Sequence, residues 1–197
     1  MSKATHMNPQ QEKRHELRQR AIVEAAATIF GRQGIHATTL EQIGREVGLS
    51  KASLYYYVKN KEEIIALVLE AVLHDINAYA KSVTDVQAPY LEQLKMRAWS
   101  HIAGGQSPSG TFIVMNLDSL NRDRATARMM RTHEEPARQL LQQAIDAGEL
   151  RAIDITVAIK ILYSSLNAIA RWHKPEYSSI RDSFETTWDI FVNGIGA

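Results

Sequence analysis

The sequence predicts an all-α protein in two parts, a small N-terminal three-helix head with a helix-turn-helix and a larger helical body, about nine helices in all. Three observations point there. Every long segment repeats its apolar residues at i, i+3, i+4 and i+7, the period of one helix face, and no stretch alternates as a half-buried strand does. Residues Thr39 to Lys61 crowd helix-start signals and a glycine stop into a short span. Charge is divided as well: ten Lys and Arg stand against five Asp and Glu up to Lys61, and thirteen against seventeen beyond it. The net charge of +1 therefore hides a basic head on a mildly acidic body, the footprint of a nucleic-acid-binding module joined to something else.

In chain order, residues 1–13 are predicted as a disordered arm, with Met7 as an alternative start; residues 14–60 form the head and 61–197 the body. Lys13, Arg14, Arg18 and Arg20 read either as phosphate or minor-groove contacts or as a solvated helix start. Ile22, Ala25, Ala26, Ile29 and Phe30 make the stripe of the first helix, which Gly34 ends. Thr39 followed by Gln42 is a capping box, so a second helix begins there, with Leu40, Ile43 and Val47 inward and Gly48 as its stop. Ser50 caps a third helix and Asn60 a fourth.

Two helices joined by a tight glycine turn are a helix-turn-helix, whose second helix enters the major groove with its first residues at base edges. Lys51, Ala52, Ser53 and Tyr56 are the candidate base readers: an ammonium donates to guanine, a methyl meets thymine, and hydroxyls reach either. Thr39, Ser50, Tyr55, Tyr57 and Lys61 are the candidate phosphate contacts. The alternative is a plain helical hairpin with a tyrosine cluster packed for stability.

The fourth helix carries Ile64, Leu67, Val68, Ala71 and Val72 to about Lys81. Pro89 opens the next, with Leu91, Leu94, Ala98 and Ile102 inward. Gly104 to Gly110 reads as a loop, a hinge or pocket lid at most, followed by a helix from Thr111 to about Leu120. One or two helices span Arg122 to Gly148, with Pro136 as a kink or restart. Two stripes close the chain, one from Ile155 to Leu166 and one from Ile180 to Ile195, separated by Lys174-Pro175.

From about Arg18 to Leu69 the sequence closely resembles the N-terminal domain of the TetR family of bacterial transcriptional regulators. The phenylalanine before Gln33-Gly34, Ala37-Thr38-Thr39, Ile43-Gly44, Val47-Gly48-Leu49-Ser50-Lys51, Leu54-Tyr55-Tyr56 and Lys59-Asn60-Lys61 fall in family order. Tyr57 stands where many members carry histidine and Val58 where most carry phenylalanine. The resemblance implies a homodimer on a palindromic double-stranded DNA operator, released by a small effector. It also implies a dimer interface from the last two helices, for which Phe184, Trp188, Phe191 and Ile195 are the candidates, with burial inside one subunit as the alternative.

An effector pocket between body helices is expected, and Trp99, Phe112, Met115, Met129, Tyr163, Asn167, Arg171 and Trp172 are its candidate lining. Methionines and aromatics at helical spacing are also ordinary core. Leu166 to Pro175 resembles a signature of the family subgroup that controls fatty-acid, steroid and related catabolic genes, which implies a small hydrophobic effector such as an acyl-coenzyme A thioester, its phosphate met by Arg171 or Lys174. The alternative is a helix end whose cations complement the dipole.

No Gly-x-Ser-x-Gly elbow, His-Glu-x-x-His, P-loop or cysteine nucleophile is present, so neither enzyme chemistry nor a cofactor is expected. His133 beside Glu134 and Glu135 reads as a solvated helix face rather than a metal site. Absence of cysteine, of a signal peptide and of any apolar run near the ~18–20 residues of a membrane span predicts a cytoplasmic location and no membrane partner.

Overall fold

A computed structural model of the chain describes residues 8–116, 120, 123–173, 176 and 178–195, and among these it holds nine helices and no strand. They fall into two compact units, Met1–Leu69 and Glu70–Ala197. The division lies inside the fourth helix, after Leu69 rather than at its first residue.

The first unit holds α1 (Pro9–Ala37), α2 (Leu40–Glu46), α3 (Lys51–Leu54) and the start of α4 (Lys61–Val83). Asn8 accepts a hydrogen bond from the Gln11 backbone N–H and the Gln11 side chain returns one to the Asn8 N–H; this capping box, with Pro9 behind it, starts α1 five residues before the end of the predicted arm. Residues 1–7 lie outside the described residues. At Gly34 the backbone leaves helical geometry (φ 82°), as the sequence predicts. The Thr39–Gln42 box forms and opens α2. Ile22, Ala26 and Phe30 of α1 are buried with Ile43, Leu54, Val58 and Ile64. A four-residue helix has no stability of its own, so α3 depends on its anchors Leu54 and Val58, each side chain contributing roughly 1.5–3 kcal/mol by burial.

The second unit holds the rest of α4 with α5 (Tyr90–Gly105), α6 (Pro108–Met115), α7 (Arg124–Asp146), α8 (Ile155–Trp172) and α9 (Ile180–Ile195). Its core is formed by Leu94 and Ala98 of α5, Leu141 and Ala144 of α7, Ile159 and Leu166 of α8, and Phe184 of α9. Pro89 offers α5 no side-chain cap; the Glu149 carboxylate takes its place, accepting from the N–H groups of Tyr90 (3.1 Å) and Leu91 (2.8 Å).

Two segments depart from the sequence reading. The predicted Gly104–Gly110 loop shrinks to Gln106 and Ser107, because Ser107 caps α6 by accepting from the Gly110 N–H and Pro108 occupies its first position. Pro136 does not restart α7, which runs through it as one helix. Lys174 and Pro175 lie outside the described residues. No helix among those described is long and apolar enough to cross a membrane.

Candidate DNA-reading head and effector pocket

In the head, Gly48 takes the left-handed conformation (φ 67°) that ends α2, and the Leu49 N–H donates to the Gly44 carbonyl at 2.8 Å to close the turn. A side chain at residue 44 would sit 3.0 Å from the Leu49 carbonyl oxygen, a tight contact in this turn that glycine avoids. Ser50 then caps α3, accepting from the Ser53 N–H at 3.1 Å, while the two hydroxyls lie 2.9 Å apart. With Leu54 and Val58 facing inward, Lys51, Ala52, Ser53 and Tyr56 are exposed on one short segment. The helix presents three candidate readers and the turn after it the fourth, Tyr56, with Leu54 and Val58 anchoring the segment.

The candidate phosphate contacts divide. Thr39, Ser50 and Tyr55 are exposed, and Tyr57 is half-buried. Lys61 differs: its ammonium donates to the carbonyls of Ile35 (2.9 Å) and Thr38 (3.1 Å), closing the end of α1 onto the start of α4. Two of its three protons are thus engaged within the head, and its first role is bracing.

The structure adds a residue that the sequence reading missed. The His15 ring of α1 lies 5.6 Å from Tyr56 and 5.0 Å from Tyr57, and those two rings meet edge to face at 5.1 Å. Gln19, one turn on, reaches the Tyr57 carbonyl. No local motif announces His15, since its partners lie some forty residues away.

Within the second unit a cavity of about 50 Å³ is enclosed by α4 to α8. Val72, Leu73 and Ile76 of α4, Ile113 and Val114 of α6, and Met130 of α7 make its apolar walls. His101, His133, Glu134, Tyr163 and Asn167 are its polar lining. By the usual share of volume per water, such a space holds on the order of two waters.

The polar side is a continuous chain. Asn167 Oδ1 lies 2.9 Å from His101 Nε2, His101 Nδ1 lies 3.2 Å from His133 Nε2, and His133 Nδ1 lies 3.1 Å from Asn77 Oδ1 on α4. Arg97 donates to that same Asn77 oxygen (2.8 Å) and to the His133 carbonyl (2.8 Å). The Tyr163 ring meets both imidazoles edge-on at 5.0 and 5.7 Å. Burial holds His133 down at about 3, helped by the charge of Arg97 and the neighbouring His101. His101 is lowered too, chiefly by burial, with its hydrogen bond to Asn167 acting the other way. Burial pushes the Tyr163 phenol up. His133 and Glu134 are therefore not a solvated helix face. Among the described residues no group of three or more His, Cys, Asp or Glu side chains is placed to hold a metal.

Of the candidate pocket residues, Tyr163 and Asn167 line this cavity. Trp99 instead packs against Phe184 with Arg181 over its ring at 4.4 Å, Met115 is exposed, and Met129 is half-buried outside the lining. Arg171 and Trp172 end α8 on the outside. The Phe112 and Ile195 side chains lie outside the described residues. The expected interface aromatics are also relocated: Phe184, Trp188 and Phe191 are buried within the protomer, because α9 needs them to cover α5 and α8. What the last two helices expose is Val157, Ile161 and Trp172 of α8 and Ile190 of α9, each more than half exposed, beside an open groove that also takes in Ala168, Thr187 and Gly194.

Residues 22–68 match the family model for bacterial regulatory proteins of the tetR family, and residues 87–195 match the tetracyclin repressor-like C-terminal domain. The HTH-type transcriptional regulator YfiR of Bacillus subtilis is 27% identical over 169 residues, covering 82% of each chain. The HTH-type transcriptional repressor KstR2 of Rhodococcus jostii is 24% identical over 188 residues, covering 91% of this chain and 92% of the relative. Among solved structures, AibR in complex with isovaleryl coenzyme A and operator DNA superimposes with a TM-score of 0.72 at 20% identity, covering 88% of this chain and 97% of that one.

Proposed function

We propose, from the premise that this chain belongs to the TetR family of bacterial regulatory proteins, that it is a cytoplasmic, homodimeric transcriptional repressor and not an enzyme. Its operator is palindromic, and a small hydrophobic effector bound in the body releases it. The observation that carries this reading is the head: Lys51, Ala52, Ser53 and Tyr56 are exposed on a segment anchored by Leu54 and Val58, both fully buried. One such segment touches few base pairs. A symmetric pair reads two half-sites about 34–36 Å apart, or a multiple of that.

The dimer face in this reading is the exposed strip of Val157, Ile161, Trp172 and Ile190, not the aromatics of α9. A two-fold contact must be self-complementary, and an apolar strip on two adjacent helices meets its own copy as a four-helix packing. The cavity is the effector site; AibR, with its isovaleryl coenzyme A, supports an acyl-coenzyme A thioester as one member of the effector class. At about 50 Å³ the cavity admits at most an acyl end without opening. α4 supplies both Lys61, which braces the head, and Val72, Leu73 and Ile76 of the cavity wall, so it is the element through which occupancy shifts the dimer between DNA-binding and released forms.

The test is DNA affinity against salt for the wild type and Lys51→Ala. A phosphate-tracking dimer loses affinity steeply, with a log-log slope near −0.9 per phosphate contact, and Lys51→Ala weakens the preferred sequence by about 1–3 kcal/mol while blurring sequence choice. A flat salt response together with an unaffected Lys51→Ala would remove the DNA-reading assignment.

A further inference from the structure

The histidine chain in the cavity has a fixed direction. Arg97 is a donor only, so the Asn77 atom it meets is an oxygen, and that same oxygen faces His133 Nδ1. His133 Nδ1 must then carry a hydrogen. A neutral His133 presents the lone pair of Nε2, which His101 fills from Nδ1. A neutral His101 is left with a lone pair on Nε2, facing Asn167, whose amide satisfies it by turning Nδ2 toward the ring, an exchange of ends that changes no shape. An oxygen atom arriving from the cavity can bond His101 Nε2 only if the ring gains a proton.

Charge around the cavity points the same way. Arg97 is buried, its Nε has no hydrogen-bond partner, and among the described residues no carboxylate pairs with it. Glu134, the one acid of the lining, is already shared by Arg138 (3.4 Å) and Lys160 (3.3 Å). The groups facing the imidazoles are Asn77 from α4, Arg97 from α5, Glu134 from α7, and Tyr163 and Asn167 from α8, a set with one buried cation more than its acid can balance. The uncompensated guanidinium attracts a ligand anion, and a proton taken up with that anion leaves the net charge of the site unchanged.

We propose that the cavity takes a small aliphatic carboxylate, its oxygens received by His101 Nε2 and the Asn167 amide and its hydrocarbon body by Val72, Ile76, Ile113 and Met130. The proposal rests on the effector-site reading above and narrows its ligand class. Binding brings one proton to the imidazole pair, which the neighbouring carboxylate then stabilises as a cation. Because the pair is neutral when empty and the ligand is already ionised, affinity falls as pH rises, about tenfold per unit between the free and bound pKa of the pair. The bonded chain ends on Asn77, so occupancy is felt on α4.

The experiment is calorimetric titration of the full chain with butyrate, isovalerate and hexanoate, each up to about 10 mM, where even a millimolar complex is nearly saturated. Isoamyl alcohol and isovaleryl coenzyme A are the comparison ligands. Runs at about pH 6 and pH 8, in two buffers of different ionisation heat, count the protons. At least one carboxylate is expected to bind with close to one proton taken up, roughly tenfold or more above the alcohol, with affinity falling toward pH 8. His101→Gln is expected to abolish the proton uptake; the wild-type proton count tests the proposal even if that variant does not fold. Silence of all three acids, binding without a proton, or a thioester that binds more tightly with no pH dependence overturns it. Retention of promoter DNA is measured in parallel: DNA binding with silent acids sinks this proposal alone, and proton-coupled acid binding without DNA binding sinks the regulator reading alone.

Discussion

Single side chains divide the head between reading and bracing. Lys51 ends in water, whereas Lys61 ends on two carbonyls of the α1 terminus. Lys61→Met keeps the stem and removes the donors, so it is expected to lower stability by about 1–3 kcal/mol, the cost of leaving partly buried carbonyls unpaired, as measured by urea unfolding. Lys51→Ala should leave that midpoint within about 0.5 kcal/mol, as an exposed surface change does. In the body, His133 is the residue to titrate. Its native pKa of about 3 lies below the ordinary histidine value of ~6.5, so the unfolded chain takes up the proton first as pH falls. Its stabilising contribution is complete above ~6.5 and is lost between there and 3, at up to roughly 1.4 kcal/mol per pH unit. Thermal unfolding at neutral pH and near pH 5 should show this loss, and His133→Asn should flatten it.

Among the elements, α8 and α9 carry the clearest expectation. Ile190 and Trp172 are exposed apolar side chains that nothing within the described protomer covers. Ile190→Glu or Trp172→Glu is expected to shift the chain toward monomer in sedimentation at micromolar concentration while leaving helix content intact. Phe184→Ala instead removes a fully buried ring and should cost about 3–5 kcal/mol of stability. That contrast also marks how far the sequence could be read. Periodicity located both helices and their apolar faces, because a stripe at helical spacing is a local signal. It did not say which edge of a wide stripe faces the protomer and which faces a copy, because that depends on where α5 lies. Ser107-Pro108 was legible in kind but misplaced in meaning: the same residues that punctuate a loop also start a helix, and the helix won. The Thr39–Gln42 box, the Ser50 and Asn60 caps and Gly48 are legible because their partners lie three or four residues away, whereas the Asn8–Gln11 box falls where the sequence predicts a disordered arm. His15 against Tyr56 and Tyr57, and the chain from Asn167 to Asn77, join residues far apart in sequence and had no local signature to find.

For the whole molecule, the charge split and the two units share one logic. The basic part is the part whose exposed side chains suit base edges and phosphates, and the mildly acidic part holds the cavity and the exposed apolar strip. In the proposed account, reading, pairing and sensing occupy different surfaces, connected by α4. Monomerising substitutions on the strip should weaken operator binding without touching the head, since two half-sites are held only by a pair.

The central claim is a symmetric two-headed reader, and selection from a random pool of duplex DNA by the wild-type chain tests it most directly. The expected product is an inverted repeat whose half-sites lie a whole number of helical turns apart, each turn about 34–36 Å. Recovery of no motif, or of a single unrepeated half-site, would contradict it.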